Sequence, residues 1–425
     1  MNTPSPLTET EKAFIKNHLN DELTSLLLQA KKYPNLNIPD LVWQIKARQK
    51  AKTKLPEWFA HEDIIFPKML SVEQASSEIT AKFKASLVHG ETLIDLTGGM
   101  GVDMAYMSKN FERAIYVERI PELLEITKYN FKVLGIENVE FRPPAPRGGD
   151  KTPTLDEKTP PLGAGGLWIY LDPHRRDDTG NKVVSLQDCE PNILEIKDFL
   201  FTKTDKILLK ASPMLDINLA VIELENVANI YVVAVENEVK EILFHLQKNY
   251  QEEAQYHAVD LKSTTGFSLY NAITDRLKPV VHEFTFKKSE EKNTNIKIGS
   301  PQAYLYEPNA AILKAGGFRI IAQHFDLQKI APHSHLYTST DLVENFQGRI
   351  FKIEGVCRLD KKEISTYLSK NKANITIRNF PLSVKQIREK LKLSEGGDAY
   401  LFATTDAENQ KIVIVCKKIG MRGEQ

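Results

Sequence analysis

The chain has 425 residues, 56 of them Lys or Arg and 56 Asp or Glu, so its formal net charge is zero. That length exceeds what one hydrophobic core organises and predicts several structural units, while the balanced charge removes any whole-molecule electrostatic case for a nucleic-acid partner and leaves only local basic faces. Cys189, Cys357 and Cys416 lie far apart with no CxxC pair, a pattern that excludes a zinc ribbon or a disulfide framework and makes them reduced, packing thiols.

The opening MNTPSPLTETEK is polar and lacks the basic segment and apolar stretch of a secretory signal. No run approaches the roughly 20 apolar residues needed to cross a bilayer, so a soluble, cytoplasmic protein without a membrane partner is expected. Residues 1–72 read as a helical segment: LTETEKAFIKNHL opens on a capping threonine, and PDLVWQIKARQKAKTKL carries apolar residues at helical spacing. Its run Lys46, Arg48, Lys50, Lys52, Lys54 reads as the wet face of an amphipathic helix.

Over 73–274, the apolar runs TLIDLT, RAIYVE, NVEF, LWIYLD, KILLKAS and NIYVVAVE alternate with helical stretches, ending in the helix-like NEVKEILFHLQKNY. Such alternation predicts an α/β domain, a Rossmann-like parallel sheet with helices on both faces. Ligands of that architecture bind beyond the carboxyl ends of the strands. Residues 143–166, dense in Pro, Gly and Thr, read as a surface loop. A small α+β unit is expected over 275–330 and another over 331–425, where GRIFKIEGV, ANITIRNF, AYLFATT and KIVIVCKK spell strands around the helix VKQIREKLKL. His333 and His335 have no carboxylate or cysteine at ligand spacing, so they read as part of an interdomain hinge and no metal is expected.

The sharpest motif is Asp95-Leu-Thr97-Gly98-Gly99-Met-Gly101-Val-Asp103, between an apolar strand and the helix-like MAYMSKNF. A glycine turn there lets backbone approach a ligand, and the helix start offers free N–H groups. Counting from Gly99, the dinucleotide fingerprint finds Gly101 but then Met104, and the Gly-Lys-Ser/Thr of a P-loop is replaced by Gly-Val-Asp. What remains is an acid at the first strand end, the turn, and Glu118 at the end of the second strand, in AIYVER. A carboxylate there is placed to take both hydroxyls of a ribose, and Asp95 lies beside the turn that faces the amino-acid part of S-adenosylmethionine. Thr97 and Arg119 are counted with Asp95, Gly98, Gly99, Gly101 and Glu118 as cofactor-binding residues. Asp103, in the first helical turn, reads as a capping or dipole-favoured acid.

The second motif is Asp172-Pro173-His174-Arg175-Arg176-Asp177, where the strand LWIYL ends in a charged turn. That strand end borders the methyl-accepting pocket in a sheet of this kind. Methyl transfer from a sulfonium needs alignment more than a metal. Asp172 is a candidate to orient an acceptor or take its proton, His174 is the alternative base, and Arg175 is a candidate to grip phosphate or stack on a base. Lys210-Ala-Ser212-Pro213-Met-Leu-Asp216 either walls the same cleft or is an ordinary helix entry.

In DLTGGMGVD, YVER, YLDPHRRD, KASPMLD, VENEVKEIL, YEPNAAILKAGGF and the stretch from GRIFKIEGV to AYLFATT, the chain resembles the class I methyltransferases. It is similar in particular to a bacterial family in which such a domain precedes ferredoxin-like and THUMP-like domains. The resemblance covers most of the chain and implies S-adenosylmethionine as cofactor and RNA as substrate and partner, with Arg349, Lys352, Lys385, Arg388, Lys390 and Lys392 as a face for its backbone. Two departures stand out. The turn Asp-Pro-His-Arg replaces the Asn/Asp-Pro-Pro-aromatic of many nucleic-acid amino-methyltransferases, and FRPPAPRGG replaces the small-Asp dipeptide that meets adenine, so that either Asp150 substitutes from further along the loop or cofactor affinity is weakened or lost. These departures keep open a non-catalytic RNA-binding scaffold, and a methyltransferase acting on a small molecule or protein.

Overall fold

The structure, a computed structural model, describes residues 6–68, 72–143, 166–175, 185–262 and 280–420. The chain divides into two compact units: Met1–Ile230 with Lys240–Glu252 and Leu261–Val280, and Tyr231–Val239 with Glu253–Asp260 and Val281–Gln425.

The first unit begins with α1 (Glu9–Asn17), α2 (Leu23–Leu28), α3 (Ile38–Lys54) and α4 (Pro56–Ala60). Thr8 caps α1 in a reciprocal box: its hydroxyl accepts from Glu11 N at 3.3 Å, and the Glu11 carboxylate accepts from Thr8 N at 2.8 Å. Phe14, Ile15, Leu26, Ile38, Leu41, Val42 and Ile45 form the core of this segment. The basic run on α3 is not all wet face. Arg48 is buried, donating from Nη2 to Glu62 O at 2.8 Å and Ile64 O at 2.7 Å, and from Nη1 to Gln44 Oε1 at 3.1 Å. It lies four residues after Gln44 and three after Ile45, on the stripe that faces inward, so periodicity decides its place and its charge misleads.

Then follow α5 (Glu78–Leu87), β1 (Gly90–Asp95), α6 (Val102–Met107), β2 (Phe111–Val117), α7 (Pro121–Val133), β3 (Val139–Arg142), β4 (Leu167–Leu171), the short β5 (His174–Arg175) and β6 (Cys189–Glu190), α8 (Ile193–Leu200), β7 (Lys206–Ala211), α9 (Ile217–Leu224), β8 (Val227–Val235) and β9 (Glu238–Gln247). Neighbouring strands run in the order β3-β2-β1-β4-β7-β9. The first five are parallel, with Asp95 level with Tyr116 on one side and Tyr170 on the other. β9 is antiparallel to β7, pairing Leu243 with Lys210. β4 is buried at all five residues, the continuous apolar run of a strand covered on both faces.

β9 corrects the helical reading of NEVKEILFHLQKNY. Ile242, Leu243, Phe244 and Leu246 are all buried, and a strand buried on both faces mimics a helix in apolar content. The missed signal was local: Glu236 and Asn237 both have positive φ, 49° and 64°, as a two-residue hairpin turn of type I′ requires.

Later elements are β10 (Gln255–Lys262), β11 (Val280–Lys287), α10 (Lys288–Asn293), β12 (Tyr304–Pro308), α11 (Ala310–Ala315), α12 (Ile320–His324), β13 (Gln328–Lys329), β14 (Tyr337–Ser339), β15 (Gly348–Cys357), α13 (Lys361–Ser365), β16 (Asn374–Arg378), α14 (Val384–Leu391), β17 (Ala399–Thr405) and β18 (Lys411–Lys418). In the second unit a seven-stranded sheet runs β13-β14-β12-β15-β18-β17-β16. Strand alternation divides its core: Leu401, Ala403, Val413 and Val415 pack with Ile364, Ile387 and Leu391 of the helices, whereas Phe402, Ile414 and Cys416 pack with Leu305, Ile330 and Phe351. No helix among the described residues is long and apolar enough to cross a membrane.

Replacing Arg48 with Met keeps the stem but leaves the carbonyls of Glu62 and Ile64 without their donor. A loss of roughly 3 kcal/mol is expected for the first unit in urea denaturation; a change within about 0.5 kcal/mol, as for a surface substitution, would return Arg48 to the wet face.

Candidate active site at the strand ends

The turn after β1 is built so that side chains are excluded where backbone must pass. Gly98, Gly99 and Gly101 have φ of 22°, 70° and 75°, a region costly for other residues. A Cβ on Gly98 would stand 2.7 Å from Val117 O, and one on Gly101 2.6 Å from Thr127 Cγ2. The turn is thus pressed against the end of β2 and against α7. Glu118, just past β2, accepts from Gly99 N at 2.8 Å and from Ile120 N at 2.7 Å, and Tyr116 donates its hydroxyl to Gly99 O at 2.5 Å. Asp95 is 2% exposed and accepts from Thr97 N at 2.8 Å and Thr97 Oγ1 at 2.9 Å. Burial pushes its carboxyl up to about 8, the Thr97 bonds oppose this, and the charges of Asp103 and Asp172 add to it. Asp95, Thr97, the three glycines and Glu118 are therefore brought together.

Asp172 follows β4 and joins the same group: its N–H donates to Thr97 Oγ1 at 2.8 Å, and its carboxylate accepts from Lys210 Nζ at 2.6 Å. Lys210, on β7, belongs to an ionic network that the sequence did not reveal. Lys84 on α5 is fully buried and donates to both oxygens of Glu241 on β9, at 2.6 and 2.8 Å, while lying 3.2 Å from Asp103 Oδ1. Asp103 Oδ2 accepts from Ser76 Oγ at 2.8 Å and Tyr170 OH at 2.7 Å. Lys210 reaches Ser76 Oγ at 3.2 Å. Burial works against the charge on Asp103, but Lys84 and Lys210 outweigh it and hold the carboxyl below its ordinary value. Burial likewise opposes charge on Lys210, and Asp172, Asp103 and Glu241 reverse that, raising its pKa. The available signals were a lysine inside the apolar stripe of EITAKFKASL and a glutamate inside the β9 run. Asp216, by contrast, is the N-cap of α9, accepting from Asn218 N and Leu219 N.

His174 and Arg119 form a more exposed edge. The Arg119 guanidinium donates to His174 Nε2 at 3.1 Å and to Glu190 Oε1 at 3.3 Å, and the β5–β6 ladder sets His174 opposite Glu190. Because arginine only donates, His174 Nε2 is the acceptor in this contact. Arg175 lies in β5; Arg176, Asp177, Asp150 and nearly all of the 143–166 loop lie outside the described residues. His335 stacks on Phe318, with ring centroids 3.8 Å apart. Among the described residues no group of three or more His, Cys, Asp or Glu side chains is arranged to hold a metal ion.

The strand order with an antiparallel β9 beside β7, and the glycine turn at the end of the central β1, define the class I methyltransferase fold expected from the sequence. Sequence-family models match a ferredoxin-like domain over residues 304–346 and a THUMP domain-like region over 348–418. The chain is thus a methyltransferase-fold protein carrying ferredoxin-like and THUMP-like domains. Among solved structures it is similar to a candidate methyltransferase from Porphyromonas gingivalis W83, with 28% identity over 97% of this chain and 98% of that one, at a TM-score of 0.77. An rRNA methylase from Streptococcus thermophilus matches 40% of this chain and 94% of its own at 17% identity and a TM-score of 0.27. TrmK of M. capricolum, in complex with S-adenosylhomocysteine, matches 43% and 71% at 15% identity and a TM-score of 0.29. Likeness as slight as these last two carries no weight. No curated protein matches the sequence.

Two outcomes follow from this geometry. Asp95 has a folded-state pKa raised from 3.8 to about 8, so its contribution to stability is full below about pH 4 and is lost as pH rises through about 8. Thermal midpoints of the wild type should fall between about pH 5 and pH 8 relative to Asp95→Asn; parallel profiles would contradict the raised value. Lys84→Met should cost about 3–5 kcal/mol by leaving buried carboxylates unpaired, and adding Glu241→Leu should recover part of that. A double variant whose loss equals the sum of the Lys84→Met and Glu241→Leu losses measured singly would show that the pair is not coupled.

Proposed function

We propose that this chain transfers a methyl group from S-adenosylmethionine to RNA. The observation that carries the first half is the cradle of Asp95, the Gly98–Gly101 turn and Glu118 at adjacent strand ends. The residues suit that cofactor in two respects. Each Glu118 oxygen accepts one backbone N–H and retains a lone pair for a ribose hydroxyl. Asp95 is a buried acid beside the turn, and a cationic amino-acid group brought next to it would favour its ionised form. S-adenosylmethionine supplies an electrophilic methyl group on a sulfonium. Arg119, bonded to His174 and Glu190, borders the Glu118 end of the cradle.

Asp172 is held from two sides, through its N–H by Thr97 and through its carboxylate by Lys210. Its carboxylate is already engaged by the Lys210 ammonium at 2.6 Å, so its role here is to orient the acceptor, with His174 and Arg175 at the outer edge of the same strand end. RNA is favoured as the substrate by the THUMP-like region at 348–418.

Calorimetric titration with S-adenosylmethionine and S-adenosylhomocysteine tests the cofactor. Micromolar binding is expected for the wild type, with a loss of at least about tenfold in Glu118→Ala, the effect of deleting one charged hydrogen-bond acceptor. Transfer of labelled methyl groups to total RNA, absent in Asp172→Ala, then tests the substrate. Failure of the folded wild type to bind either ligand would leave a scaffold in place of an enzyme.

A further inference from the structure

The seven-stranded sheet of the second unit holds a carboxylate gripped by two arginines. Glu307, on β12, is 2% exposed. Arg349 faces it directly across the β12–β15 ladder and donates from Nε at 2.7 Å and also from Nη2, both to Oε2. Arg378, the last residue of β16, donates from Nε at 3.1 Å and Nη2 at 2.8 Å to Oε1. Both carboxylate oxygens are thus used, and each guanidinium is held along one edge. The other edge of each fork, Nη1, meets no hydrogen-bond acceptor among the described residues, and each arginine side chain stays 34% exposed. The surroundings are cationic as well. Burial, and after it the charges of Lys329, Arg378 and His333, push the His335 imidazole down to about 4.

Two guanidiniums against one carboxylate leave one positive charge, and their geometry is fixed before any ligand arrives. Planar forks with paired donors match the oxygens of a phosphate, and holding them in place removes the rotamer entropy that long side chains lose on binding. We propose that Arg349 and Arg378, positioned by Glu307, form a phosphate-binding clamp, and that its ligand is a backbone phosphodiester of RNA. The second clause rests on the RNA reading given above; the clamp itself does not. A tie that only braces the sheet would need neither the free fork ends nor the exposure.

The test uses the full chain, a fluorescein-labelled single-stranded RNA of mixed sequence followed by anisotropy over a range of salt, and inorganic phosphate followed by 31P line broadening. Arg349→Gln and Arg378→Gln should each weaken RNA binding by about tenfold at low salt and reduce the slope of log affinity against log salt by about one. Lys16→Gln, the same charge change on an exposed residue of α1, should do less, and calorimetric binding of S-adenosylhomocysteine should not change. Arg378→Lys keeps the charge and one donor for Glu307 while removing the fork, so it replaces Arg378→Gln if that variant fails to fold, with RNA affinity again reduced. Folded variants with wild-type affinity and slope would overturn the clamp while leaving RNA binding intact. Phosphate broadening that vanishes in the variants, with no RNA bound by the wild type, would keep the clamp as a small-anion site and remove its RNA ligand. Absence of both signals in the wild type would overturn the proposal entirely.

Discussion

The ammonium of Lys84 is the interaction on which the first unit depends. It has no contact with solvent and sits between Glu241 on β9 and Asp103 on α6. Through Asp103 it reaches Tyr170 on β4, and through Ser76 it reaches Lys210 on β7 and so Asp172. A single buried cation thereby fixes the relative positions of helices and strand ends that are remote in sequence. Such a network is weak evidence for net stability, since desolvating the ions is costly. What it contributes is geometry: each carboxylate has one place where its partners are satisfied, and the strand ends lie where those places are.

The glycine turn adds a second constraint of a different kind. Gly98 and Gly101 are required by positive φ and by the close approach of Val117, Thr127 and Phe131, so the loop is seated on β2 and α7 by sterics before any ligand contributes. Glu118 then closes the loop from the side by accepting the Gly99 N–H. The same carboxylate that anchors the turn is the one proposed to take a ribose hydroxyl. Under the proposed function, a substitution at Glu118 therefore acts on loop and ligand together.

The parts of this arrangement legible in the sequence were those whose reason is local. The turn could be read because glycines and an acid between a strand and a helix serve few purposes besides bringing backbone close to a ligand, and β1, β2, β4 and β7 because their apolar runs end abruptly in charge. Asp172 was visible for the same cause, at the end of LWIYL. The Lys84–Glu241 pair was not visible, because its partners are 157 residues apart and neither side's neighbours announce a partner. Arg48 and β9 were misread for a related reason. A residue's charge and a segment's apolar content each describe what the side chains are, whereas the burial of Arg48 by two backbone carbonyls and of β9 beside β7 is decided by elements elsewhere.

The two units use the same chemistry to opposite ends, and exposure separates them. Lys84 is fully buried and Lys210 nearly so, at 14% side-chain exposure, and their bonds go to protein carboxylates and Ser76. In the second unit Arg378 comes from β16, which three strands separate from β12. A flat sheet at about 4.8 Å per strand would set these strands about 19 Å apart, more than an arginine and a glutamate span together. The sheet must therefore coil to bring Arg378 to Glu307, and that coil carries two guanidiniums to one carboxylate at the junction of the ferredoxin-like and THUMP-like stretches. A buried carboxylate that needed only neutralising would be satisfied by one arginine. The second leaves charge in excess and donors unspent at the surface, which is the physical distinction between a brace and a receptor for an anion.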